Sequence, residues 1–396
     1  VRTLSNGRPN GTERVVTAAI DLFAGAGGLS LGASRSGLDV RAHVENDKHA
    51  CATLAANPET RNGVVRADVA ELSGEDLLAA SGLSHGEEFV MLGGPPCQPF
   101  SKASYWTDPG NEARYREARE AGLAASKPEP IRRAKEDGRR DMVGHYLRLL
   151  DETGATGFLV ENVPNILAPR NRGTFDELVS AAEELGYHVT WFKANAAEHG
   201  VPQTRERIFV LGSRVRKPVA PGKTHFLPKE SPELFDPRTP APTAREALAP
   251  AAGEEHFEPE EVVEGRWAEA LREVPPGWNY KWLTAWNNHP DPLFVAEKRF
   301  WNFLLKLHPD KPSWTLAASP GPWVGPFHWE GRRLRTREMA LLQGFPMDFE
   351  FTGPRRERVR QIGNAVPPPL AEAVTRSLRA AVSRENRSPT HVARSD

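Results

Sequence analysis

A cysteine held between prolines, an acid closing an apolar run and two arginines at alternate positions are the residues of this chain best suited to covalent chemistry. Cys97 stands in Gly93-Gly94-Pro95-Pro96-Cys97-Gln98-Pro99, directly after a short apolar run at 89–92. Its flanks are rigid and non-helical, which is costly unless position matters. The carboxyl end of such a strand is where ligands bind in open α/β sheets. Cys51 lies inside an apolar helical stretch and reads instead as a small buried hydrophobe. Glu161 ends Phe158-Leu159-Val160. The apolar lead-in implies a partly desolvated carboxyl, where a bare surface acid is the alternative. Arg205 and Arg207 enter a strand two positions apart, so both project to one face. There they can pair with Glu161, a phosphate or a base oxygen, or form a solvated strand edge.

A second constellation is the segment Asp21-Leu22-Phe23-Ala24-Gly25-Ala26-Gly27-Gly28, which follows a strand and opens a helix. Glycines there let the backbone turn tightly and approach a bound group that faces the helix N-terminus. Seventeen residues past Gly28, at the end of the next strand, Glu45 can accept hydrogen bonds from both ribose hydroxyls. Asp68, after a third strand, can accept one from an adenine amine. Taken alone, these residues indicate a nucleotide-containing cofactor, with NAD as open as any other, or a tight turn without a ligand.

The elements that must position these groups alternate. Strands are expected over 15–23, 40–44, 63–67, 89–92, 157–160, 188–194 and 207–211. Helices are expected over 29–36, 48–56, 144–151 and 175–185. This is the pattern of a parallel sheet with crossover helices. From 215 to 260 the chain turns rich in proline and acid, and 262–312 holds five of the ten tryptophans. That texture marks a separate, irregular module whose tryptophans are expected to build its small core, with one or two left to touch a ligand. Helices at 337–343 and 369–382 and a polar tail at 383–396 close the chain.

Composition sets outer limits. With 396 residues, 39% hydrophobic and 26% charged, the chain suits a globular protein of one large and one smaller domain. Residues 1–14 lack the apolar stretch of a signal peptide, no run is long enough to span a membrane, and two cysteines make no disulfide framework. A cytoplasmic protein is therefore expected. The net charge of −1 leaves any polyanion to local patches. Residues 102–140 carry 10 Lys and Arg against 7 acids, and 332–360 carry 8 Arg against 4 acids. Residues 215–312 carry 13 basic residues against 15 acids.

In their order along the chain, these residues resemble the cytosine-5 DNA methyltransferase family of bacterial restriction-modification systems. The resemblance covers about 16–213 and 313–380. The glycine loop is similar to the first motif, Pro95-Pro96-Cys97 to the nucleophile motif, Glu161-Asn162-Val163 to the acid motif and Gln203-x-Arg205-x-Arg207 to the arginine motif. Arg337-Glu338-x-Ala340-x-x-Gln343-Gly344-Phe345-Pro346 is similar to the ninth motif and Gly363-Asn364-Ala365-Val366-Pro367 to the tenth.

The resemblance implies a doubly wound, mostly parallel α/β sheet of the S-adenosylmethionine-dependent type with a smaller irregular target-recognition domain. Residues 1–214 would form the catalytic domain, completed by 354–396, and 215–353 the recognition domain. It implies catalytic roles for Cys97, Glu161, Arg205 and Arg207. It implies a cofactor pocket of Phe23, Gly25, Gly27, Gly28, Glu45, Asp68, Pro96 and Asn364, with Phe23 stacked on the adenine. S-adenosylmethionine would be the cofactor, without a metal. Double-stranded DNA would be the substrate of a monomer associated with the nucleoid while acting, and a cognate restriction endonuclease would share the site. A tRNA methyltransferase on the same core and a catalytically silent DNA-binding regulator stay open beside it. One departure is the 101–140 loop, longer than the family's usual catalytic loop, with an expected helix at 113–125. It would grip the phosphate backbone or cover the flipped base, or be an elaboration without function.

Overall fold

A computed structural model describes residues 17–96, 137–231, 235–294 and 301–384, with positions 100, 114, 115, 118, 123 and 124 between them. Cys97 and most of the 101–140 loop, including most of the helix expected at 113–125, lie outside the described residues, as do 1–16 and the tail from 385; positions 114, 115 and 118 are helical.

The first strands among the described residues are β1 (Ala18–Leu22), β2 (Asp39–Glu45), β3 (Val64–Arg66), β4 (Phe89–Gly93), β5 (Gly157–Asn162), β6 (His188–Asn195), β7 (Gln203–Thr204) and β8 (Glu206–Ser213); two-residue strands follow at His225–Phe226, Thr239–Pro240 and Ser313–Trp314. Among the described residues, seven of them form one sheet in the order β3-β2-β1-β4-β5-β8-β6. β1 to β5 pair in parallel, whereas β8 runs antiparallel to both β5 and β6. The central parallel strands β1, β4 and β5 are buried on both faces, whereas β2 and β3 at the edge are partly exposed. Ile20, Met91 and Phe158 face one layer with α3 (Gly74–Ser81), α4 (Met142–Thr153) and α5 (Arg172–Glu184). Ala19, Val90 and Leu159 face the other with α1 (Gly28–Arg35) and the C-terminal helix Pro368–Val382. The fold is thus a doubly wound α/β sheet, as the sequence implies.

Other α-helices among the described residues are α2 (Lys48–Ala56), α6 (Ala244–Leu248), α7 (Ala268–Glu273), α8 (Thr336–Leu342) and α9 (Arg355–Asn364), and Pro368–Val382 is labelled α10. α10 crosses α1 so closely that a Cβ at Gly32 would lie 2.4 Å from the Ala371 Cβ. The last helices thereby reach the glycine loop at the far end of the sequence. Among the described residues no helix is long and apolar enough to cross a membrane.

Four of the described helices, α3, α6, α7 and α9, are not expected from the sequence, and the longer two show why. α3 begins on a capping box between Ser73 and Asp76 but buries only Gly74, Leu77, Leu78 and Ser81, too short a stripe to show a helical period. α9 carries four arginines, and Val359 and Ile362 are the only large apolar side chains it buries.

The 215–312 region has short helices and two-residue strands, and its core gathers Leu271, Val274, Tyr280, Leu283, Phe303, Leu304 and Phe327. Trp267 and Trp282 pack on that core as expected, but Trp278, Trp286 and Trp301 are exposed.

Candidate active site

The carboxyl ends of β1 to β4 open onto a cavity of about 450 Å³. Of the expected cofactor residues, Phe23, Gly25, Gly28, Glu45, Asp68, Pro96 and Asn364 line it. Gly27 does not. Its φ of +86° makes it the left-handed cap of α1, and a Cβ there would strike Leu54 at 2.8 Å. The three glycines have three different duties. Gly25 (φ +54°) has open space above it, where a Cβ would meet nothing nearer than the Phe23 carbonyl at 4.0 Å, so a ligand can approach the backbone. Gly28 makes room for a neighbour, since a Cβ would lie 2.2 Å from the Val366 carbonyl of the tenth motif. Phe23 itself sits at φ +58°, a strained conformation that a non-glycine residue keeps only where the surroundings impose it.

Glu45 holds the loop in place. Its carboxylate accepts from the amides of Gly25 and Asp47, each at 2.8 Å. Asp47, the N-cap of α2, takes the Arg360 guanidinium at 2.7 Å, which links β2 to α9 across the cavity rim. Asp47, Arg360, Arg139 and Met142 all line the cavity and were missed from sequence. Only Asp47 left a trace, as a capping residue before the 48–56 helix. This set fits S-adenosylmethionine: a backbone cradle at Gly25, an aromatic ring at Phe23 and carboxylates at Glu45 and Asp68 meet in one cavity.

Beneath the cradle lies a buried polar chain. The Ser30 hydroxyl donates to Asp21 at 2.5 Å and stands 2.7 Å from His43 Nδ1. Asp21, Ser30 and His43 are all buried, and Asp21 Oδ1 has no partner among the described residues. Burial pushes the Asp21 carboxyl up to about 7 and the His43 imidazole down to about 4, so both are held neutral near pH 6.

Glu161, the last residue but one of β5, lines the same cavity and is buried. Arg207 Nε meets its carboxylate at 2.8 Å. Gly94 lies against the other oxygen, and a Cβ there would approach it to 3.4 Å. Burial raises the Glu161 pKa, opposed by the charges of Arg207 and Arg205. Arg205 is more deeply buried, and its guanidinium donates to the carbonyls of Gly363 (2.8 Å) and Leu316 (3.4 Å). It thus ties the sheet to α9 and to the 313–320 segment. Asn162 donates to the Pro95 carbonyl at 3.3 Å and Asn165 to the Phe100 carbonyl, so residues just after Glu161 hold the chain on both sides of positions 97–99. Sequence reading treated Asn162 only as part of a motif and missed Asn165.

Cys51 is buried, its thiol donates to the Glu45 carbonyl at 3.3 Å, and burial raises its pKa to about 11. A thiol so disposed is unreactive.

Residues 17–380 match the family model described as C-5 cytosine-specific DNA methylase. The type II methyltransferase M.SacI of Streptomyces achromogenes is 37% identical over 91% of this chain and 92% of its own length. M1.HphI of Haemophilus parahaemolyticus, also a type II methyltransferase, is 30% identical over 91% of this chain and 86% of its own. A protein encoded within an E. coli prophage shares the fold, with a TM-score of 0.61 over 92% of this chain and 99% of that one, at 24% identity.

Proposed function

The chain belongs to the C-5 cytosine-specific DNA methylase family, in its bacterial restriction-modification branch, and from that premise we propose that it methylates a flipped-out cytosine through a Cys97–C6 adduct. The observation that carries this reading is the meeting of Glu161, gripped by Arg207, with Gly94-Pro95-Pro96 at one end of the cofactor cavity. Cys97 is the next residue in the chain.

Cytosine C5 is a poor nucleophile. Addition of the Cys97 thiolate to C6 pushes electrons onto C5 and makes the ring an enamine. Glu161, whose pKa burial raises, donates to N3 in its protonated form as negative charge develops there and accepts from the exocyclic amine, which also rejects thymine. Arg207 orients Glu161, and Arg205 fixes the backbone of both flanking segments. Asn162 and Asn165 keep the nucleophile's segment in register with the acid. Bound S-adenosylmethionine supplies the electrophilic methyl group, held by Phe23, Gly25, Gly28, Glu45, Asp68, Pro96 and Asn364. Loss of the C5 proton to a base then re-forms the double bond and expels Cys97. The target leaves the duplex for this, at a cost of a few kcal/mol offset by pocket contacts.

Residues 1–214 with 354–396 form the catalytic domain in this reading, and 215–353 the recognition domain. The enzyme works as a monomer on cytoplasmic DNA and protects it from an endonuclease that cuts the same sequence. Duplex DNA carrying 5-fluorocytosine at the target tests the mechanism. After methyl transfer the adduct resolves only if the C5 substituent leaves as a cation, which fluorine cannot do. A cofactor-dependent covalent complex mapping to the Cys97 peptide is expected. Its absence, in a preparation that methylates ordinary cytosine, sinks the covalent route. Sequencing plasmid DNA for 5-methylcytosine after expression reads out the site.

A further inference from the structure

We propose that Gln203 and Gln343 are positioning residues for the methyl transfer: their side-chain amides form one buried hydrogen-bonded chain that seats the cofactor cavity at one end and the strand of Arg205 and Arg207 at the other. The proposal rests on the reading of the 450 Å³ cavity as the S-adenosylmethionine site. Both glutamines stand in segments that resemble family motifs, yet neither lines the cavity and neither has a part in the chemistry above.

The chain runs through four bonds. The Leu316 amide donates to Gln203 Oε1 at 3.1 Å. Gln203 Nε2 donates to the Leu342 carbonyl at 3.1 Å and to Gln343 Oε1 at 2.6 Å. Gln343 Nε2 donates to the Ala365 carbonyl at 2.5 Å. Both glutamines are fully buried. A primary amide donates and accepts without carrying a charge, so two in series can relay the contact through a dry interior. A partner left unmet there is costly, which makes each link a constraint.

The two ends fall on different machinery. Ala365 stands between Asn364 and Val366, and all three line the cofactor cavity. Arg205 holds the Gly363 carbonyl at 2.8 Å, so the backbone is gripped on both sides of Asn364. The residues after Gln343 reinforce this end. Gly344 (φ +84°) leaves room for Pro369, which a Cβ would meet at 2.8 Å, and the Phe345 ring lies 3.2 Å from where a Gly28 Cβ would stand. Three consecutive residues thus bear on the turn after α9, the start of α10 and the glycine loop. At the other end, Gln203 opens β7 two residues before Arg205 and four before Arg207, which holds Glu161. Ser313 pairs with Gln203, and the Leu316 carbonyl accepts from Arg205 at 3.4 Å. Gln203 and Arg205 therefore clamp Leu316 by its amide and its carbonyl.

Methionine, similar in length and apolar, breaks the chain at one link and leaves the far end held. In Gln343→Met the Ala365 carbonyl loses its donor, while Gln203 keeps Leu316 and Leu342. The Kd for S-adenosylmethionine, measured by calorimetry without DNA, should rise about tenfold, and the single-turnover rate on unmethylated plasmid DNA at saturating cofactor should stay within about threefold. In Gln203→Met the clamp on Leu316 opens, while Gln343 keeps Ala365. There the cofactor Kd should stay within about threefold and the single-turnover rate should fall about tenfold. Loss of packing alone would move both quantities together, in step with the thermal midpoint. Equal losses of affinity and rate, or wild-type values of both in either variant, would overturn the proposal. Each variant carries its own arm, so if one does not fold the other decides. Asp68→Ala separates this proposal from the reading beneath it. Wild-type cofactor affinity in that variant strikes the cavity assignment and the chain with it. Weakened affinity there, with no split between the two glutamine variants, strikes the chain alone.

Discussion

The carboxyl edge of the sheet and the 215–353 region solve opposite problems with opposite means. At the sheet edge polar groups are buried or half-buried, and each is tied to elements distant in sequence: Arg205 to α9, Asp47 to Arg360, Gln203 to Gln343 at 2.6 Å. A displacement of any one is resisted by several others, so reacting groups keep their separations. In the other region large rings stand on short turns over a small aromatic core. Such turns can change sequence without disturbing the sheet. The difference teaches that rate should be sensitive to the first region and choice of DNA to the second.

The largest expected effect separates the two regions outright. Cys97→Ser should lower methyl transfer by on the order of a thousandfold or more, since a hydroxyl is a far weaker nucleophile at neutral pH. Cofactor binding and sequence-specific DNA binding should survive, because the side chains are close in size. Turnover within tenfold of wild type in a single-turnover assay would remove Cys97 from the mechanism. Equal loss of DNA binding would break the division of labour.

Glu161→Gln comes next, with an expected loss of about a hundredfold in kcat. The amide can still bond the base but cannot pass a proton to N3. Burial raises the Glu161 pKa, so the active, protonated form persists above the usual carboxylate range and disappears as pH rises through the raised value. The wild-type kcat profile should therefore contain a falling limb that the Gln profile lacks. A falling limb that persists in Glu161→Gln would assign it to another group.

How much of this was legible depended on whether a signal was local. Strand β4 and helix α2 announce themselves by burial on both faces and by a capping aspartate. Glu161 and Arg207 could be placed on a common edge because each closes or opens an apolar strand. Arg360 could not, since its partner Asp47 is 313 residues away and α9 buries too few apolar residues to show a period. Gly27 looked like a cofactor glycine because its neighbours Gly25 and Gly28 line the cavity; only the backbone angle and the close approach to Leu54 reveal a packing role. The exposed tryptophans were unreadable for the same reason. Rings in an aperiodic segment carry no face, so burial of Trp267 and exposure of Trp286 follow from a tertiary core that the order of residues does not disclose.

The smallest effect should leave rate nearly untouched and show in stability, and it tests whether the rigid edge rests on the buried chain beneath it. His43 and Glu45 are two apart on β2, and Asp21 stands on β1 two residues before Phe23, so the chain with Ser30 lies next to the glycine loop. Folding moves protons at two places. Asp21 rises from 3.8 to about 7, so the folded state binds the extra proton and stability falls as pH climbs through that window. His43 drops from 6.5 to about 4, so the unfolded state binds the extra proton and stability rises with pH between those values. The two slopes oppose each other, and between about pH 4 and 6.5 the pair exchanges a proton with little net uptake. The wild type should accordingly show a shallow contribution from this pair there. Asp21→Asn removes one slope and leaves that of His43, so stability should gain roughly 3 kcal/mol from pH 4 to 6.5 relative to the wild-type profile. His43→Asn should do the reverse, with stability lost as pH rises from 4 to 7. Urea midpoints measured across pH for the three proteins decide the matter. Parallel profiles would show that the chain does not hold its two protons as described, and that the cradle depends on something other than this neutral pair.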